Sequence, residues 1–378
     1  MNISEYKSGN WIKRYEYRSF QPTLINVQWM LDDVHVVQLL AEANRIIGEL
    51  NAFSQFIPDV DLFIQMHVVK EATNSSRIEG TQTNIEEAIQ KKEEINPEKR
   101  DDWQEVQNYI EAMNNALQRL EVLPISTRLL KETHQSLMQG VRGGQKLPGE
   151  FRSSQNWIGG ATLRDAVFIP PTHAEVPELM SDLENFINNE EIEVPELIRI
   201  AIAHYQFETI HPFLDGNGRI GRLLITLYLV NTQLLGKPTL YLSTFFEKHR
   251  NLYYDNLTAV RTRGDLRQWL TFFLVGIIET GKESIETFKS IIKLKEKTEH
   301  DILIRFGSKA IMVRQLMQQL YRKPICTAQS AAEYMGVSDP TAAKVIKILL
   351  EMHILQEITG FRRNRQFVFH AYLQLFVR

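Results

Sequence analysis

Residues 211–222 read HPFLDGNGRIGR, a string with three glycines that joins two helix-patterned segments. In residues 198–209 before it and 220–235 after it, apolar side chains return every three or four positions, the spacing of a helix face. The same spacing occurs in residues 36–56, 106–120 and 266–278. Strand patterns are sparse. The sequence therefore predicts a mainly α-helical protein in which a glycine-containing loop joins two amphipathic helices.

The loop has the residue types that bind phosphate groups. Gly216 and Gly218 have no side chains, so successive backbone N–H groups can converge on one anion, and the start of the following helix adds the positive end of its dipole. Arg219 and Arg222 are three residues apart and share one helix face, where two guanidinium groups can bind phosphate oxygens. This combination favours a polyphosphate over a single phosphate or a carboxylate.

Two further side chains of the loop indicate transfer chemistry. Asp215 is unfavourable beside phosphates unless a cation lies between them, which predicts Mg²⁺ held by this carboxylate and the phosphates. His211, at the entrance, is placed to accept a proton from an incoming hydroxyl group. The alternative is a glycine-rich turn with water-exposed arginines. A base, a metal ligand, an anion site and two cations in one short string favour a phosphoryl or nucleotidyl transfer site.

HPFLDGNGRIGR resembles the signature of the Fic family, whose members share the Fido fold and are mostly protein adenylyltransferases. The resemblance extends over residues 32–279 and includes PGEFR at 148–152, IGG at 158–160 and the tyrosine pair at 253–254. It implies a Fic (Fido) helical fold with a small β-hairpin flap, and ATP as the substrate. The branch of the family that phosphorylates its targets has a lysine where this sequence has Gly218, which favours AMP transfer over phosphate transfer.

The resemblance also implies roles for the residues of the loop. His211 would be the general base, Asp215 the carboxylate on the metal side, and Arg219 with Arg222 the phosphate clamps. The nucleotide-binding residues it implies are Gly216, Asn217, Gly218, Arg219, Ile220, Gly221 and Arg222, with Tyr254 and, as a weaker candidate, Lys248 near the adenine or ribose.

A second string, Ser75-x-x-x-Glu79-Gly80, closes a segment whose helical pattern begins at Asp61. Glu79 would lie at the negative end of that helix, a position unfavourable by about 0.3–1 kcal/mol unless a cation pairs with it. The string resembles the inhibitory motif of Fic proteins whose inhibitory helix precedes the active site. This implies that Glu79 binds Arg222 and prevents productive placement of the ATP γ-phosphate, with Ser75 as the other inhibitory residue of the motif; in some members the glutamate also assists AMP removal. A surface glutamate on a frayed helix end is the alternative.

Residues 155–171 contain the clearest strand signal. WIGG at 157–160 and AVFI at 166–169 flank a turn-prone TLRD, as in a short hairpin. By resemblance this hairpin is a flap that holds an extended segment of the target protein by edge pairing, which aligns a hydroxyl group without requiring one side-chain sequence. An ordinary surface hairpin is the alternative. His204, two helical turns before the loop, has no third ligand at metal spacing and is interpreted as structural.

The last part of the chain is basic and has the outline of a winged helix-turn-helix. Residues 301–378 contain eleven Lys and Arg and five Asp and Glu, a net charge of +6, which leaves −9 for residues 1–300. Helix patterns at 327–334 and 339–352 precede strand patterns at 356–359 and 366–369, with a basic turn at 360–365. Lys344 and Lys347 are candidates for DNA phosphate contacts. Winged modules also bind proteins, so both kinds of partner stay open.

Composition limits the remaining classes. The apolar runs 223–230 and 269–278 are shorter than the roughly 20 residues of a membrane-spanning helix, so no membrane segment is predicted. Cys326 is the lone cysteine and nothing resembles a secretion signal, so a cytoplasmic location is expected. The predicted domains are an N-terminal helical region with the inhibitory helix (1–110), the Fido catalytic domain (111–285), and a linker helix with the winged helix (286–378). The oligomeric state is open, with a homodimer among the options.

Together the patterns predict a protein adenylyltransferase that uses ATP and Mg²⁺ to transfer AMP to a Ser, Thr or Tyr hydroxyl group of a target protein and is autoinhibited by Glu79. The competing hypothesis is a winged-helix transcription regulator whose Fic-like body senses a nucleotide. His211 favours the enzyme, because nucleotide binding alone needs no base.

Overall fold

The computed structural model describes residues 1–57, 59–140, 146–360 and 365–377, and most of them are helical. The helices are α1 (Val34–Phe56), α2 (Val60–Ile78), α3 (Ile85–Ala88), α4 (Arg100–Arg119), α5 (Thr127–Leu137), α6 (Val176–Asn188), α7 (Glu196–Ile210), α8 (Asn217–Asn231), α9 (Ser243–Lys248), α10 (Arg250–Arg263), α11 (Leu266–Phe306), α12 (Ala310–Arg322), α13 (Ala328–Met335), α14 (Asp339–Glu351) and α15 (His370–Val377). The strands are β1 (Gly9–Lys13), β2 (Arg18–Pro22), β3 (Ile325–Thr327), β4 (Gln356–Glu357) and β5 (Gln366–Val368). The mainly helical class is confirmed.

The two helices beside the loop form the centre of the molecule. α7 is buried at every residue from Leu197 to Ile210, and α8 at every residue from Arg219 to Leu229. α7 packs against α1, α6, α8 and α11. Both helices were predicted to be amphipathic; because neighbours cover them on all sides, they are core helices instead. No helix in the described part of the chain has the length and apolar character needed to cross a lipid bilayer.

The loop between α7 and α8 begins and ends with residues in the left-handed backbone region. His211 caps α7 at φ 51° and ψ 60°, and Gly216 precedes α8 at φ 76°. Asn217 closes the loop, since its Oδ1 accepts a hydrogen bond from Phe213 N (2.8 Å) and its Nδ2 donates to Phe213 O (2.8 Å). α8 therefore begins at Asn217, three residues before the predicted start. Both arginines of the string lie in its first two turns.

α2 ends where its sequence predicts. Glu79 is the C-cap, and Gly80 follows at φ 104°, a conformation that glycine adopts readily because it has no Cβ. The helix packs against α4, α9 and α12 and also contacts α8. The C-terminal end of α2 therefore lies beside the start of α8.

The structure contains a hairpin that the sequence analysis missed. β1 and β2 pair antiparallel, with Trp11 opposite Phe20. Phe20 N donates to Ile169 O (2.9 Å), and the rings of Trp11 and Phe20 lie 5.8 and 5.7 Å from the ring of Phe168. The hairpin thus packs beside the end of the 155–171 segment.

The hairpin predicted at residues 155–171 is smaller than expected. The chain reverses direction there, but only one antiparallel bridge forms, between Ile158 and Phe168. Gly159 and Gly160 have φ values of 69° and 75°, far from those of an extended strand, so pairing stops after one residue pair.

The C-terminal module comprises α12 to α15 with β3, β4 and β5. Both β3 and β4 pair antiparallel with β5, in the order β3-β5-β4. Residues 361–364, most of the predicted basic turn, lie outside the described residues. The module packs on α2, where the ring of Phe63 lies 5.4 Å from Tyr321 and 6.4 Å from Tyr372. The predicted domain boundary after residue 285 falls inside α11, which is one continuous helix.

Candidate active site

The backbone of His211 is held in place from outside the loop. The left-handed conformation costs a residue with a Cβ about 1–2 kcal/mol, so it needs support. Arg152 Nε donates to His211 O (3.0 Å), and Arg152 N donates to Pro212 O (2.9 Å). Asn156 Nδ2 donates to the same His211 oxygen (3.2 Å) and to Phe213 O (2.9 Å). Because Arg152 and Asn156 are buried, water competes little for these bonds.

The imidazole of His211 is neutral at physiological pH. Burial lowers the pKa of His211 to about 4, and the positive charges of Arg261 and Arg152 act in the same direction. Its Nδ1 is buried and has no hydrogen-bond partner among the described residues. A neutral ring can accept a proton from a hydroxyl group, and because Nδ1 is buried the accepting nitrogen would be Nε2.

Arg261, on α10, connects the last turn of α7, which leads into His211, to the 155–171 segment. Its Nη2 donates to Glu208 O (3.0 Å) and its Nε donates to Thr209 Oγ1 (3.2 Å), both in the last turn of α7. Its guanidinium carbon lies 4.0 Å from the ring centroid of Phe168. The sequence analysis did not identify Arg261, because a basic residue in a polar helix gives no sign that it is buried.

The loop rests on His134 of α5, another residue that no sequence pattern marked. The ring of His134 stacks on that of Phe213 with centroids 3.8 Å apart and planes 5° from parallel. His134 Nε2 lies 3.0 Å from Asp215 O, and Gly149 N donates to Nδ1 (2.9 Å). Burial lowers the pKa of His134 to about 4, so this ring is also neutral.

Asp215 lies where the loop meets solvent, with its side chain 35% exposed. Lys146 Nζ lies 2.8 Å from Oδ2, and Gly216 N donates to Oδ1 (2.7 Å). Burial raises the pKa of Asp215, but Lys146 and the Gly216 N–H lower it by more, so the carboxyl group is ionised. The described residues contain no group of three or more His, Cys, Asp or Glu that could hold a metal ion. A single carboxylate suits Mg²⁺, whose remaining ligands are commonly substrate phosphates and water.

Arg219 is buried and already paired with a carboxylate. Its Nη1 lies 3.3 Å from Glu105 Oε2 on α4, and its Nη2 lies 3.9 Å from Asp215 Oδ1. Glu105 also accepts a hydrogen bond from Thr81 Oγ1 (3.2 Å). Arg219 and Arg222 are three residues apart on α8 and share one helix face, as predicted. Neither is unpaired, since Arg222 also has a carboxylate partner, Glu79.

The ion pair expected between Glu79 and Arg222 is present. Arg222 Nη2 lies 2.6 Å from Glu79 Oε1, and Arg222 Nε and Nη2 donate to Ser75 Oγ and O (2.9 Å each). The side chain of Arg222 is 1% exposed and that of Glu79 is 35% exposed. Burial raises the pKa of Glu79, but the charge and hydrogen bond of Arg222 lower it by more, so the carboxylate stays ionised. A methyl group on Gly218 would overlap Glu79 Oε1, so the glycine makes room for this carboxylate.

Glu208 is a second buried carboxyl group near this pair. It lies on α7, and its Oε1 has no hydrogen-bond partner among the described residues. Burial raises the pKa of Glu208 to about 7, although the charge of Arg222 opposes the shift. A methyl group on Gly221 would overlap Oε1, so Glu208 and Gly221 are in close contact. The sequence analysis did not identify Glu208.

The first turn of α8 has backbone N–H groups that could bind an anion. A helix leaves its first N–H groups without intrahelical partners, here those of Asn217 and Gly218. Ile220 N instead donates to Gly216 O (3.1 Å), and its side chain is fully buried. The side chain of Ile220 therefore belongs to the core, and its predicted role in nucleotide binding stays a prediction. Lys248 ends α9 with an exposed side chain, and no contact within the described residues joins it to the loop.

Two aromatic neighbours complete the site. Tyr254 lies on α10, 38% exposed, with its ring 5.2 Å from that of Tyr253. Burial raises the pKa of Tyr254, and the charge of Glu79 raises it further, so the ring lies near the Glu79 carboxylate. His204 Nδ1 bonds to Gly221 O (2.8 Å) and its Nε2 to Tyr253 Oη (2.9 Å), which agrees with the structural role assigned to His204.

Two family profiles match adjacent parts of the chain. The profile described as Fic/DOC family N-terminal matches residues 37–118, which include α2 and Glu79. The profile described as Fic/DOC family matches residues 124–229, which include the loop. Glu79 thus falls in one matched region, and the loop with Arg222 falls in the other.

Curated relatives share the central part of the chain. Protein adenylyltransferase Fic of Culex quinquefasciatus is 38% identical over 125 residues, which cover 33% of this chain and 22% of that protein. The protein of the same name in Drosophila erecta is 31% identical over 154 residues, which cover 40% of this chain and 28% of that protein. The chain therefore spans about a quarter of the length of these relatives.

Solved structures share the fold. A Fic family protein from Desulfovibrio desulfuricans G20 superposes with a TM-score of 0.57 at 22% identity and covers 90% of this chain and 97% of that one. A fragment of Fic-1 from C. elegans superposes with a TM-score of 0.51 at 22% identity and covers 68% of this chain and 74% of that one. At this identity the likeness shows the fold alone.

Proposed function

Because the chain contains the N-terminal and central domains of the Fic/DOC family, we propose that it is a protein adenylyltransferase, which transfers the AMP group of ATP to a hydroxyl side chain of a target protein. One observation carries the proposal: the neutral imidazole of His211 and the first-turn amides of α8 belong to one tightly held loop. Nucleotide binding alone would need the amides, whereas transfer also needs a base.

In the proposed reaction, the target hydroxyl group gives its proton to His211 as its oxygen forms a bond to the α-phosphorus of ATP. The bond from that phosphorus to the bridging oxygen of the β-phosphate breaks, and pyrophosphate leaves. The N–H groups of Asn217 and Gly218 stabilise negative charge on the phosphates. Mg²⁺, when bound, would neutralise further phosphate charge on the side of Asp215.

We propose that Glu79 inhibits this reaction. Arg222 is the innermost cation of the site, and its Nη2 is held by Glu79 at 2.6 Å. A phosphate oxygen can use that N–H group only after the carboxylate leaves. Ser75 binds the same guanidinium through Oγ and O, so Arg222 keeps its position when Glu79 departs.

The target segment is proposed to bind along residues 155–171. With one bridge between Ile158 and Phe168, most backbone groups of this segment are not paired across the turn. Arg152 donates to Pro171 O (2.5 Å) as well as to His211 O, so the segment and the base share one buried arginine. A peptide paired along the segment would therefore be held in fixed relation to the imidazole.

A second proposal concerns the C-terminal module. Its sheet order, β3-β5-β4, with α13 and α14 between β3 and β4, supports the winged helix-turn-helix predicted from the sequence. Lys344 and Lys347 are exposed on α14, where they can meet phosphates or an acidic protein surface. Sequence-specific DNA binding, with no AMP transfer by any variant, would favour a nucleotide-sensing transcription regulator over the enzyme.

His211→Ala tests the proposed reaction. In the full-length chain carrying Glu79→Gly, label from α-labelled ATP should pass to target proteins in a cell lysate. Adding His211→Ala should reduce the rate of transfer by at least about 100-fold, the contribution of a general base. The ATP affinity measured by calorimetry should change little. Transfer that survives the loss of the imidazole would remove the mechanism.

A further inference from the structure

His134 touches the loop at two places and the segment after α5 at a third, and none of these contacts was expected from the sequence. The residue is fully buried on α5 and belongs to neither the HPFLDGNGRIGR string nor the inhibitory motif. Its ring stacks on Phe213, accepts from Gly149 N and approaches Asp215 O at 3.0 Å. Both ring nitrogens and one ring face are therefore engaged.

The two partners fix which nitrogen has the proton. The Gly149 N–H can only donate, so Nδ1 must present its lone pair to it. The Asp215 carbonyl oxygen can only accept, so the proton must lie on Nε2. His134 thus has one neutral tautomer in which Nε2–H donates to the main chain of the residue proposed to hold Mg²⁺.

The turn after Asp215 is packed against the same nitrogen. Gly216 has φ 76°, and a methyl group built on it would lie 3.4 Å from His134 Nε2 and 3.0 Å from Met138 Sδ. The carboxylate of Asp215 and the first amides of α8 extend from this short stretch of backbone, so a shift of the Asp215 peptide would move both.

From this geometry we propose that His134 is a positioning residue for the metal-bound nucleotide: its Nε2–H holds the Asp215 peptide so that the carboxylate faces the site where Mg²⁺ joins the phosphates. The inference rests on the proposed function, because Asp215 is a metal ligand only in that reaction. The competing explanation is that His134 fills space beneath Phe213, in which case any flat ring of similar size would serve.

Three substitutions separate these explanations in the full-length chain with Glu79→Gly. The amide nitrogen of Gln reaches the Nε2 position, so His134→Gln retains the bond to Asp215. The amide of Asn reaches only the Nδ1 position, so His134→Asn retains the bond to Gly149 and loses the other. His134→Phe retains the ring stack and loses both bonds. The measurements are ATP affinity by calorimetry, with Mg²⁺ and with EDTA, and the Mg²⁺ concentration that gives half-maximal AMP transfer.

His134→Asn and His134→Phe should weaken Mg²⁺-dependent ATP binding and raise the half-maximal Mg²⁺ concentration by about five- to tenfold, the effect of one ordinary hydrogen bond. ATP affinity in EDTA should be unchanged within about twofold, and His134→Gln should stay close to the parent. Equal effects in Gln and Asn, or normal Mg²⁺ dependence in Phe, would overturn the proposal. If the Phe variant does not fold, as judged by its melting curve, the Gln and Asn comparison decides. If the parent transfers no AMP, the proposed function fails, while Mg²⁺-dependent ATP binding still tests His134.

Discussion

Removing the carboxylate of Glu79 should strengthen ATP binding without disturbing the arginine that it now holds. Glu79→Gly deletes the whole side chain, and Glu79→Gln keeps its shape and removes its charge. In both variants Arg222 keeps its two bonds to Ser75, each 2.9 Å, so the guanidinium should stay in place. Glu79→Gly leaves Nη2 available to a phosphate, whereas the amide oxygen of Glu79→Gln can still accept from Nη2 as a weaker, neutral partner. The expected gain in ATP affinity therefore depends on the strength of one ion pair, Glu79 with Arg222.

The magnitude follows from the environment of that pair. A hydrogen bond to a charged group is worth about 1.5–3 kcal/mol. The Arg222 side chain is 1% exposed, but that of Glu79 is 35% exposed, so screening by water favours the lower end of the range. A phosphate that must displace the carboxylate loses about that much affinity. Since about 1.4 kcal/mol is a factor of ten, Glu79→Gly should bind ATP about tenfold more tightly than the wild type, and Glu79→Gln should bind it more tightly by a smaller factor.

The pH dependence of this gain is also defined. Burial raises the pKa of Glu79, but Arg222 lowers it by more, so the net shift is downward. A carboxyl group with a lowered pKa keeps its pair above its usual range and loses it only as the pH falls through the lowered value. Titration of Glu79 should therefore contribute no change to the ratio of variant to wild-type affinity from pH 6 to 8. Any change in that range is expected to come from Glu208, whose pKa of about 7 is raised in part by the charge of Glu79.

Calorimetric titration with ATP, together with transfer of label from α-labelled ATP, measures both effects. Glu283→Gln is a matched control, because Glu283 pairs with Lys70 of the same helix α2 (2.8 Å) and does not contact Arg222. It should leave ATP affinity unchanged. If Glu79→Gly and Glu79→Gln bind ATP no more tightly than the control, Glu79 is a structural partner of Arg222 and not an inhibitor.

Two further predictions concern stability. Because the pKa of Glu208 is raised from 4.5 to about 7, the folded state holds this proton more tightly than the unfolded state, so stability should fall as the pH rises from about 4.5 to 7. Urea titrations at pH 5 and pH 8 measure the difference in unfolding free energy between the two conditions. Glu208→Gln should reduce that difference by about 2–3 kcal/mol. Gly221→Ala should destabilise by about 1–3 kcal/mol, because its methyl group would overlap Glu208 Oε1. Gly48→Ala, on α1 with nothing within 4 Å of the added carbon, should instead be neutral or stabilise by up to about 1 kcal/mol; equal melting temperatures for the two alanine variants would contradict the packing argument.

The parts of the site that could be predicted from the sequence are those encoded locally. The loop and its flanking helices follow from apolar spacing and two glycines. The end of α2 follows from Gly80, and a carboxylate at a helix C-terminus indicates that a cation should lie nearby. The partner itself, Arg222, lies 143 residues away and was supplied by the resemblance to a family motif.

The remaining features depend on contacts between distant segments that no local pattern records. His134 and Arg261 are each buried by elements that meet only in the folded chain, and each looks ordinary in its own helix. β1 and β2 are short, and part of their pairing surface is the 155–171 segment. The strands expected in that segment were too long, because sequence alternation does not show that Gly159 and Gly160 both adopt positive φ.

The charge arrangement of the site determines how a nucleotide would have to bind. Arg219 is paired with Glu105 and Arg222 with Glu79, so each phosphate-binding cation already has an anion. Glu105 also accepts from Thr81, two residues after Glu79, so the two ion pairs share one short stretch of chain. Movement of Glu79 away from Arg222 would therefore also disturb the environment of Arg219. A triphosphate would replace carboxylates that bind the arginines with comparable strength. The affinity for the triphosphate would therefore reflect the difference between the arginine–phosphate bonds that form and the arginine–carboxylate bonds that break. If the proposed inhibition holds, a single carboxylate, one-third exposed at the end of α2, would for that reason be sufficient to control a site built from two arginines and a helix N-terminus.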